Sequence, residues 1–171
     1  VTEYHIMLHV TNPMLSYYEQ MEAVFKIYTS LLQNELHGAS SIFKRFFLSD
    51  AANQTDLLLA RMIEDSDCAL SVVQQPPLDG TKIALWAHLL TNVKTNMLPN
   101  GLFEVKYGKY RQLWLGGCSN KAANSEYQMR LLLNDYVMQL MEENCTLEAN
   151  CLRTWIFVQN VDCNYAGAVK A

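Results

Sequence analysis

The sequence has few of the residues and segments that mark non-globular or membrane-bound chains. It holds only seven glycines and four prolines in 171 residues, which excludes collagen-like and low-complexity chains. No apolar run approaches the roughly 20 residues of a membrane span, and no signal-peptide pattern opens the chain, although both of its ends look cut. Half of the residues are hydrophobic, enough to build a core. We therefore expect a globular cytoplasmic protein of one large or two small domains, with no membrane partner.

Basic residues are also scarce. Thirteen Lys and Arg stand against seventeen Asp and Glu, which gives a net charge of -4. Proteins that bind nucleic acids usually carry a basic face that neutralises phosphates. We expect no nucleic-acid partner, and we assign the aromatic strands that contain Trp86, Trp114 and Trp155 to the core rather than to base stacking.

Cysteine and histidine do not occur in recognisable ligand patterns. The five cysteines form no CxxC pair, and their odd number indicates free, buried thiols in a reducing compartment. Cys145 and Cys151 are near enough in sequence to meet across a turn, although nothing requires it. His5 and His9 share one face of the first predicted strand, but we recognise no acidic or thiol ligand beside them. We predict no metal and no cofactor.

The first half of the chain alternates strands and helices. Its apolar patterns predict strands at residues 4–10, 41–49, 68–73 and 82–87. Apolar spacings of three and four predict a long helix over 15–36, ended by Gly38, and a second from 50 to 63, capped by Asp50. Residues 74–80 contain the Pro and Asp-Gly pairs typical of a hairpin turn.

The second half repeats this order after a polar linker at residues 91–101. The elements predicted there are strands at 102–106, 110–115 and 151–160, a helix over 126–143 capped by Ser125, and a helix from 162 onward. The segments SIFKRFFLSD and LRTWIFVQNVD take equivalent places in the two halves. We predict an α+β fold of two repeats, residues 1–90 and 102–171, each a mixed sheet with helices on one face.

Several segments resemble the Rid (YjgF) family, also labelled endoribonuclease L-PSP. In the second half they are Tyr110-Arg111-Gln112-Leu113-Trp114-Leu115-Gly116-Gly117, Gln128-x-Arg130, Asn134-Asp135, and Leu152-Arg153-Thr154-Trp155-Ile156-Phe157-Val158, which is similar to the family's Val-Lys-Thr-Thr-Val-Phe strand. In the first half they are Phe43-Lys44-Arg45-Phe46-Phe47-Leu48-Ser49-Asp50 and Pro77-Leu78-Asp79. Together the two halves that contain these segments cover nearly the whole chain.

The resemblance implies a chorismate-mutase-like fold. It also implies a homo-oligomer, because the small domains of the family assemble as trimers with ligand clefts between neighbouring sheets. It also implies the hydrolysis of enamines and imines to keto acids and ammonia, without metal or organic cofactor. In that chemistry an Arg on the strand after the second helix grips the substrate carboxylate. The expected partner is therefore a small carboxylated metabolite.

The sequence departs from the family at the residues that carry this chemistry. Cys68, or Ala69, stands where the family has its Arg, and Lys82-Ile83-Ala84 stands where active members have a Glu. The second repeat reaches Ala171 before the strand that would carry its Arg, so we expect it to lack its last strands. Neither half contains a complete deaminase site, and we predict no catalytic residue.

Five residues are candidates for ligand binding: Gly116, Gly117, Cys118, Arg111 and Arg130. The two glycines lie where the family's ligand contacts a strand end, and glycine permits close backbone approach. The two arginines would line an anion-binding cleft, unless they are solvated surface residues. Cys118 would need a nearby base to act as a nucleophile, and no His is close in sequence.

Three functions remain open. The first is a Rid-like small-molecule-binding or assembly module without a complete deaminase site. The second is an enamine or imine deaminase whose site is completed beyond residue 171 or by another subunit. The third is a chorismatase-like enzyme that acts on a carboxylated ring.

Overall fold

Strands and helices alternate through the first half of the chain, as the sequence pattern predicts. The computed structural model describes residues 1–62 and 68–171, which divide into two units, residues 1–117 and 118–171. The described elements are β1 (Glu3–His9), α1 (Tyr17–Asn34), β2 (Ala39–Leu48), α2 (Ala51–Met62), β3 (Ala69–Gln74), β4 (Ile83–Thr91), β5 (Lys94–Met97), β6 (Phe103–Tyr107), β7 (Tyr110–Trp114), α3 (Ser125–Glu142), α4 (Leu147–Asn150) and α5 (Val161–Lys170). The predicted α+β class is confirmed. The last residue predicted for the second helix, Ile63, lies outside the described residues.

Local signals set the start of both helices in the first unit. Ser16 caps α1 in a capping box, because its side chain accepts from the N–H of Glu19 while the Glu19 carboxylate accepts from the N–H of Ser16. Asp50 precedes α2, and its carboxylate accepts from the N–H of Asn53 at 3.4 Å. Gly38 has φ +73° in the turn that follows α1.

The first sheet is mixed and has the strand order β1-β4-β2-β3. β4 lies antiparallel to both β1 and β2, whereas β2 and β3 are parallel. The predicted hairpin between β3 and β4 is therefore wrong, because β4 crosses to the far side of β2. The turn chemistry is still present, since the N–H of Gly80 donates to the carbonyl of Pro77 at 3.2 Å and φ of Gly80 is +81°. A tight turn does not by itself decide which strand the chain joins next.

The two faces of this sheet bury different clusters. On one face, α1 and α2 cover an apolar core in which Phe25 and Tyr28 pack against Phe46 and Leu85. On the other face, Phe43 and residues near it pack against Phe103 and Val105 of β6. Because side chains alternate along a strand, β2, β3 and β4 contribute to both clusters.

The second sheet is antiparallel, with the order β5-β6-β7. It belongs to the first unit, so the division of the chain falls after Gly117 rather than within the predicted linker at 91–101. Part of that linker forms β5, which pairs with β6 although all four of its residues are exposed. The predicted strands at 102–106 and 110–115 are confirmed as β6 and β7, but they do not open a second mixed sheet.

The second unit is helical. Asn124, rather than the predicted Ser125, caps α3, and its side chain accepts from the N–H of Tyr127 at 2.9 Å. The predicted strand at 151–160 is wrong, because this segment pairs with no described strand and leaves Leu152 and Ile156 exposed. An apolar run becomes a strand only where another strand supplies its hydrogen bonds. None of the described helices is both long and apolar enough to cross a bilayer.

Candidate functional site

The face of the first sheet opposite α1 and α2 brings together three polar side chains from two neighbouring strands. β1 and β4 are antiparallel with His5 opposite His88, and Glu3 lies two residues before His5 on the same face. Oε1 of Glu3 lies 3.0 Å from Nε2 of His5 and 2.6 Å from Nε2 of His88. One nitrogen or oxygen atom of each residue lies within 4.8 Å of those of the other two. We call these three residues the Glu3–His5–His88 cluster.

The members of this cluster differ in their exposure. His88 is only 5% exposed, whereas the side chains of His5 and Glu3 are about half exposed. Among the described residues, neither ring nitrogen of His88 has a partner that meets the geometry of a hydrogen bond, although Nε2 lies close to the Glu3 carboxylate. Burial lowers the pKa of His88, as does the positive charge of His5, while Glu3 opposes the shift. The neutral ring is therefore favoured, and this is the form that binds metals.

Aromatic rings surround the cluster. The ring of His5 stacks on that of His88 with centroids 4.3 Å apart, and on that of Trp86 at 5.8 Å. Trp114 of β7 meets His88 edge-on at 5.1 Å, and Phe43 contacts both tryptophans. These rings form an apolar wall beside the carboxylate and the imidazoles.

Arg45 places a cation against two of these rings, those of Phe43 and Trp86. Its guanidinium carbon lies 5.1 Å from the centre of the Phe43 ring and 5.5 Å from that of Trp86, and its Nε donates to the hydroxyl of Ser71 at 3.3 Å. The residue is 6% exposed, and burial lowers its pKa. An arginine starts from a pKa far above neutrality, so the group remains charged at pH 7. We call Arg45, Phe43 and Trp86 the Arg45 wall.

Arg111, a predicted ligand-binding residue, is engaged in an ion pair. Its Nε donates to Oε1 of Glu104 at 2.6 Å, and Nζ of Lys106 lies 2.8 Å from Oε2 of the same carboxylate. The pKa of Glu104 is lowered, first by the hydrogen bond from Lys106 and then by Arg111. Arg111 therefore already binds a carboxylate, which it shares with Lys106.

The predicted glycine site at Gly116 and Gly117 has a packing role in the structure. A Cβ on Gly116 would lie 2.2 Å from the carbonyl oxygen of Leu70 on β3, far inside van der Waals contact. Gly117 has φ +72°, a conformation that glycine adopts without strain. The missing side chain at Gly116 therefore lets the backbone of β3 approach closely, rather than a ligand.

The other two predicted site residues belong to the second unit. Arg130 pairs with Glu126 one helical turn away at 2.9 Å. Cys118 is exposed, and its pKa is raised by partial burial of the thiol and by the charge of Asp135. A raised pKa keeps the thiol protonated and less reactive.

The cysteines of the described residues are all free, but only Cys68 is buried. The prediction of generally buried thiols is therefore wrong: Cys118 and Cys163 are exposed, and Cys145 and Cys151 are partly so. The core assignment also fails for Trp155, which is 39% exposed. Trp86 and Trp114, in contrast, pack against the second cluster of the first unit.

The Glu3–His5–His88 cluster was not predicted from the sequence. The proximity of Glu3 to His5 could have been predicted, because residues two positions apart lie on the same face of a strand. His88 comes from a strand more than eighty residues later, and its proximity depends on the register of β1 and β4.

No family model, curated protein or solved structure matches this chain.

Proposed function

We propose that this chain is a Rid-like small-molecule-binding module that takes a small carboxylate on the face of its first sheet opposite α1 and α2 and lacks a complete deaminase site. The observation that carries the proposal is the Arg45 wall. A guanidinium held against aromatic rings is a common recognition element for carboxylates, which it binds through two parallel hydrogen bonds. Trp86 and the exposed His5 lie beside it and would pack against the body of the ligand.

Burial strengthens the attraction of this site for an anion. Arg45 is 6% exposed and lies against two rings, so little water screens its charge. Arg111 and Arg130 are more exposed, with 34% and 52% of their side chains accessible to water. Water therefore screens the charge of Arg45 least, which makes Arg45 the anchor that we propose, although the sequence directed attention to the other two.

The surroundings of β3 argue against deamination in the first unit. Cys68 and Ala69, at the position of the family's Arg, are buried in an apolar cluster with Phe103 and Val105. Lys82 does not supply the missing charge there, because its Nζ donates to the carbonyls of Pro13 and Leu15. A carboxylate placed against Cys68 and Ala69 would be desolvated without a charged partner from either residue.

Binding can be tested by calorimetric titration of the chain with pyruvate and benzoate, in EDTA so that metal ions play no part. We expect saturable binding of at least one of them and none of the matching neutral amides. Arg45→Gln should weaken binding about 10- to 100-fold, the value of a charge-assisted hydrogen bond to a carboxylate. Arg45→Lys should weaken it less, because the charge remains.

Arg61→Gln is the matched control. Arg61 also lies over an aromatic ring, that of Phe25 at 4.8 Å, but it pairs with Glu22 on α1 at 3.0 Å. This variant should bind as the unchanged chain does. Equal affinity of the Arg45→Gln variant, with its fold verified by circular dichroism, would overturn the proposal.

The deaminase alternative is tested separately by generating an imino acid and trapping it with semicarbazide. The proposal predicts that this chain does not compete with the trap. Competition that depends on the amount of chain would show a working deaminase and would contradict the statement that the site is incomplete.

A further inference from the structure

We propose that Glu3, His5 and His88 form a binding site for a divalent transition-metal ion of the zinc class. This inference goes beyond the proposed function and does not depend on it. Two imidazoles and one carboxylate are donors that Zn²⁺, Co²⁺ and related ions accept in proteins.

The geometry needs little adjustment. Zinc binds imidazole nitrogen and carboxylate oxygen at about 2.0–2.2 Å, so tetrahedral donors lie roughly 3.3 Å apart. The observed separations from Oε1 of Glu3 are 3.0 Å to His5 and 2.6 Å to His88. The register of β1 and β4 fixes the two histidines opposite each other, and Glu3 is exposed enough to move by this amount.

A second observation points to a ligand independently of the spacing. His88 is 5% exposed, yet neither ring nitrogen has a hydrogen-bond partner in the described part of the chain. Buried polar atoms are normally satisfied, and an unsatisfied one calls for an explanation. A metal ion at Nε2 would provide the missing partner for that atom.

The supporting contacts set an upper limit on affinity. Metal-bound histidines usually donate their other ring N–H to a carbonyl or carboxylate, and losing such a partner costs about 10- to 100-fold in affinity. Nδ1 of His88 has no such partner among the described residues. We therefore expect binding weaker than that of a structural zinc site, with three protein donors and a fourth position open to water or another small ligand.

The chain offers a matched control on the same strand. His9 lies on the same face as His5, and its Nδ1 is 2.8 Å from Oδ2 of Asp79. This pair has one imidazole and one carboxylate but no third donor in the described residues that meets the same spacing. His9→Gln removes a histidine from the same surface without touching the proposed ligands.

The test is a titration of the full chain, without an affinity tag and with its thiols reduced, with Co²⁺ followed by visible absorption and with Zn²⁺ followed by equilibrium dialysis. We expect one equivalent to bind, with a cobalt spectrum free of thiolate absorption. Zn²⁺ should also raise the urea midpoint of unfolding, because an ion that binds only the folded chain stabilises it.

Variants locate the site. Glu3→Gln, His5→Gln and His88→Gln should each weaken binding at least 10-fold, whereas His9→Gln should leave it unchanged. Glu3 and His5 are exposed, so their variants report on the site even if the His88 variant folds poorly. The absence of a bound equivalent, undiminished affinity in Glu3→Gln and His5→Gln, or binding abolished by thiol alkylation would each overturn the proposal.

Discussion

Replacing Gly116 by alanine tests whether the glycine pair after β7 serves packing or ligand approach. The new Cβ would lie 2.2 Å from the carbonyl oxygen of Leu70 and 2.7 Å from its carbonyl carbon. Both atoms belong to the backbone of β3, so no side chain can rotate away. Relief requires the two segments to separate by about 1 Å, an overpacking of a kind that costs about 1–3 kcal/mol.

This strain should appear directly in thermal stability. We expect a loss of about 2–3 kcal/mol, which for a chain of this size lowers Tm by about 4–12 °C. Gly108→Ala is the control, because it has φ +54° but nothing within 4 Å of an added Cβ. The control reports the cost of the left-handed conformation alone, about 1–2 kcal/mol.

The assay is urea and thermal unfolding, followed by circular dichroism and tryptophan fluorescence. If Gly116→Ala is as stable as the unchanged chain, or less affected than Gly108→Ala, the packing explanation is refuted. If it also loses binding of small carboxylates while remaining fully stable, the ligand-approach hypothesis would stand instead.

The remaining predictions concern charge, capping, ionisation and assembly. Glu104→Gln should lower the stability at neutral pH and should make the loss of stability in acid less steep. The reason is that the pKa of Glu104 is lowered in the folded chain, so its ionised carboxylate stabilises the fold above pH 4.5, and this stabilisation is lost as the pH falls through the folded-state pKa. Urea midpoints at several pH values check this. Ser16→Ala should lose about 1 kcal/mol with the capping box, measured by the same midpoints. Burial raises the pKa of Tyr136 to about 12, so Tyr136→Phe should not change the number of tyrosines that ionise below pH 11 by absorbance titration. The expected homo-oligomer is checked by light scattering, where a monomer at high concentration would contradict it.

The first half of the fold could be predicted because its signals are local. β1 alternates exposed and half-buried residues along its length, and α1 repeats its apolar residues every three or four positions. What the sequence could not supply was the order of the strands. The turn at Pro77 and Gly80 is compatible with a hairpin, yet β3 pairs with β2 and β4 lies between β1 and β2.

The second half was harder because its signals depend on distant partners. Residues 151–160 are as apolar and aromatic as a strand, but no described strand pairs with them. β5, in contrast, consists of exposed polar residues and Met97, and it becomes a strand because β6 supplies its hydrogen bonds. Amino-acid composition alone does not show that β5 is a strand or that residues 151–160 are not.

The candidate site shows the same limit. Arg111, Gly116 and Gly117 stand out in the sequence, but an ion pair and a neighbouring strand account for them. Arg45 is a basic residue in an aromatic strand, and only the fold shows that it lies on the rings of Phe43 and Trp86. The sequence shows which residue types occur along one strand, whereas the Arg45 wall depends on the register between neighbouring strands.

Carboxylate binding at the Arg45 wall is tested most directly by fluorine NMR of the chain labelled with 5-fluorotryptophan and titrated with pyruvate or benzoate in EDTA. The three tryptophans give three signals, assigned by single Trp→Phe variants. Trp86 lies on the Arg45 wall and Trp114 contacts Phe43, whereas Trp155 belongs to the second unit. We expect saturable shifts of the Trp86 and Trp114 signals that disappear in Arg45→Gln, with the Trp155 signal unchanged. A shift confined to Trp155, or none with either ligand at saturating concentrations, would contradict carboxylate binding at this wall.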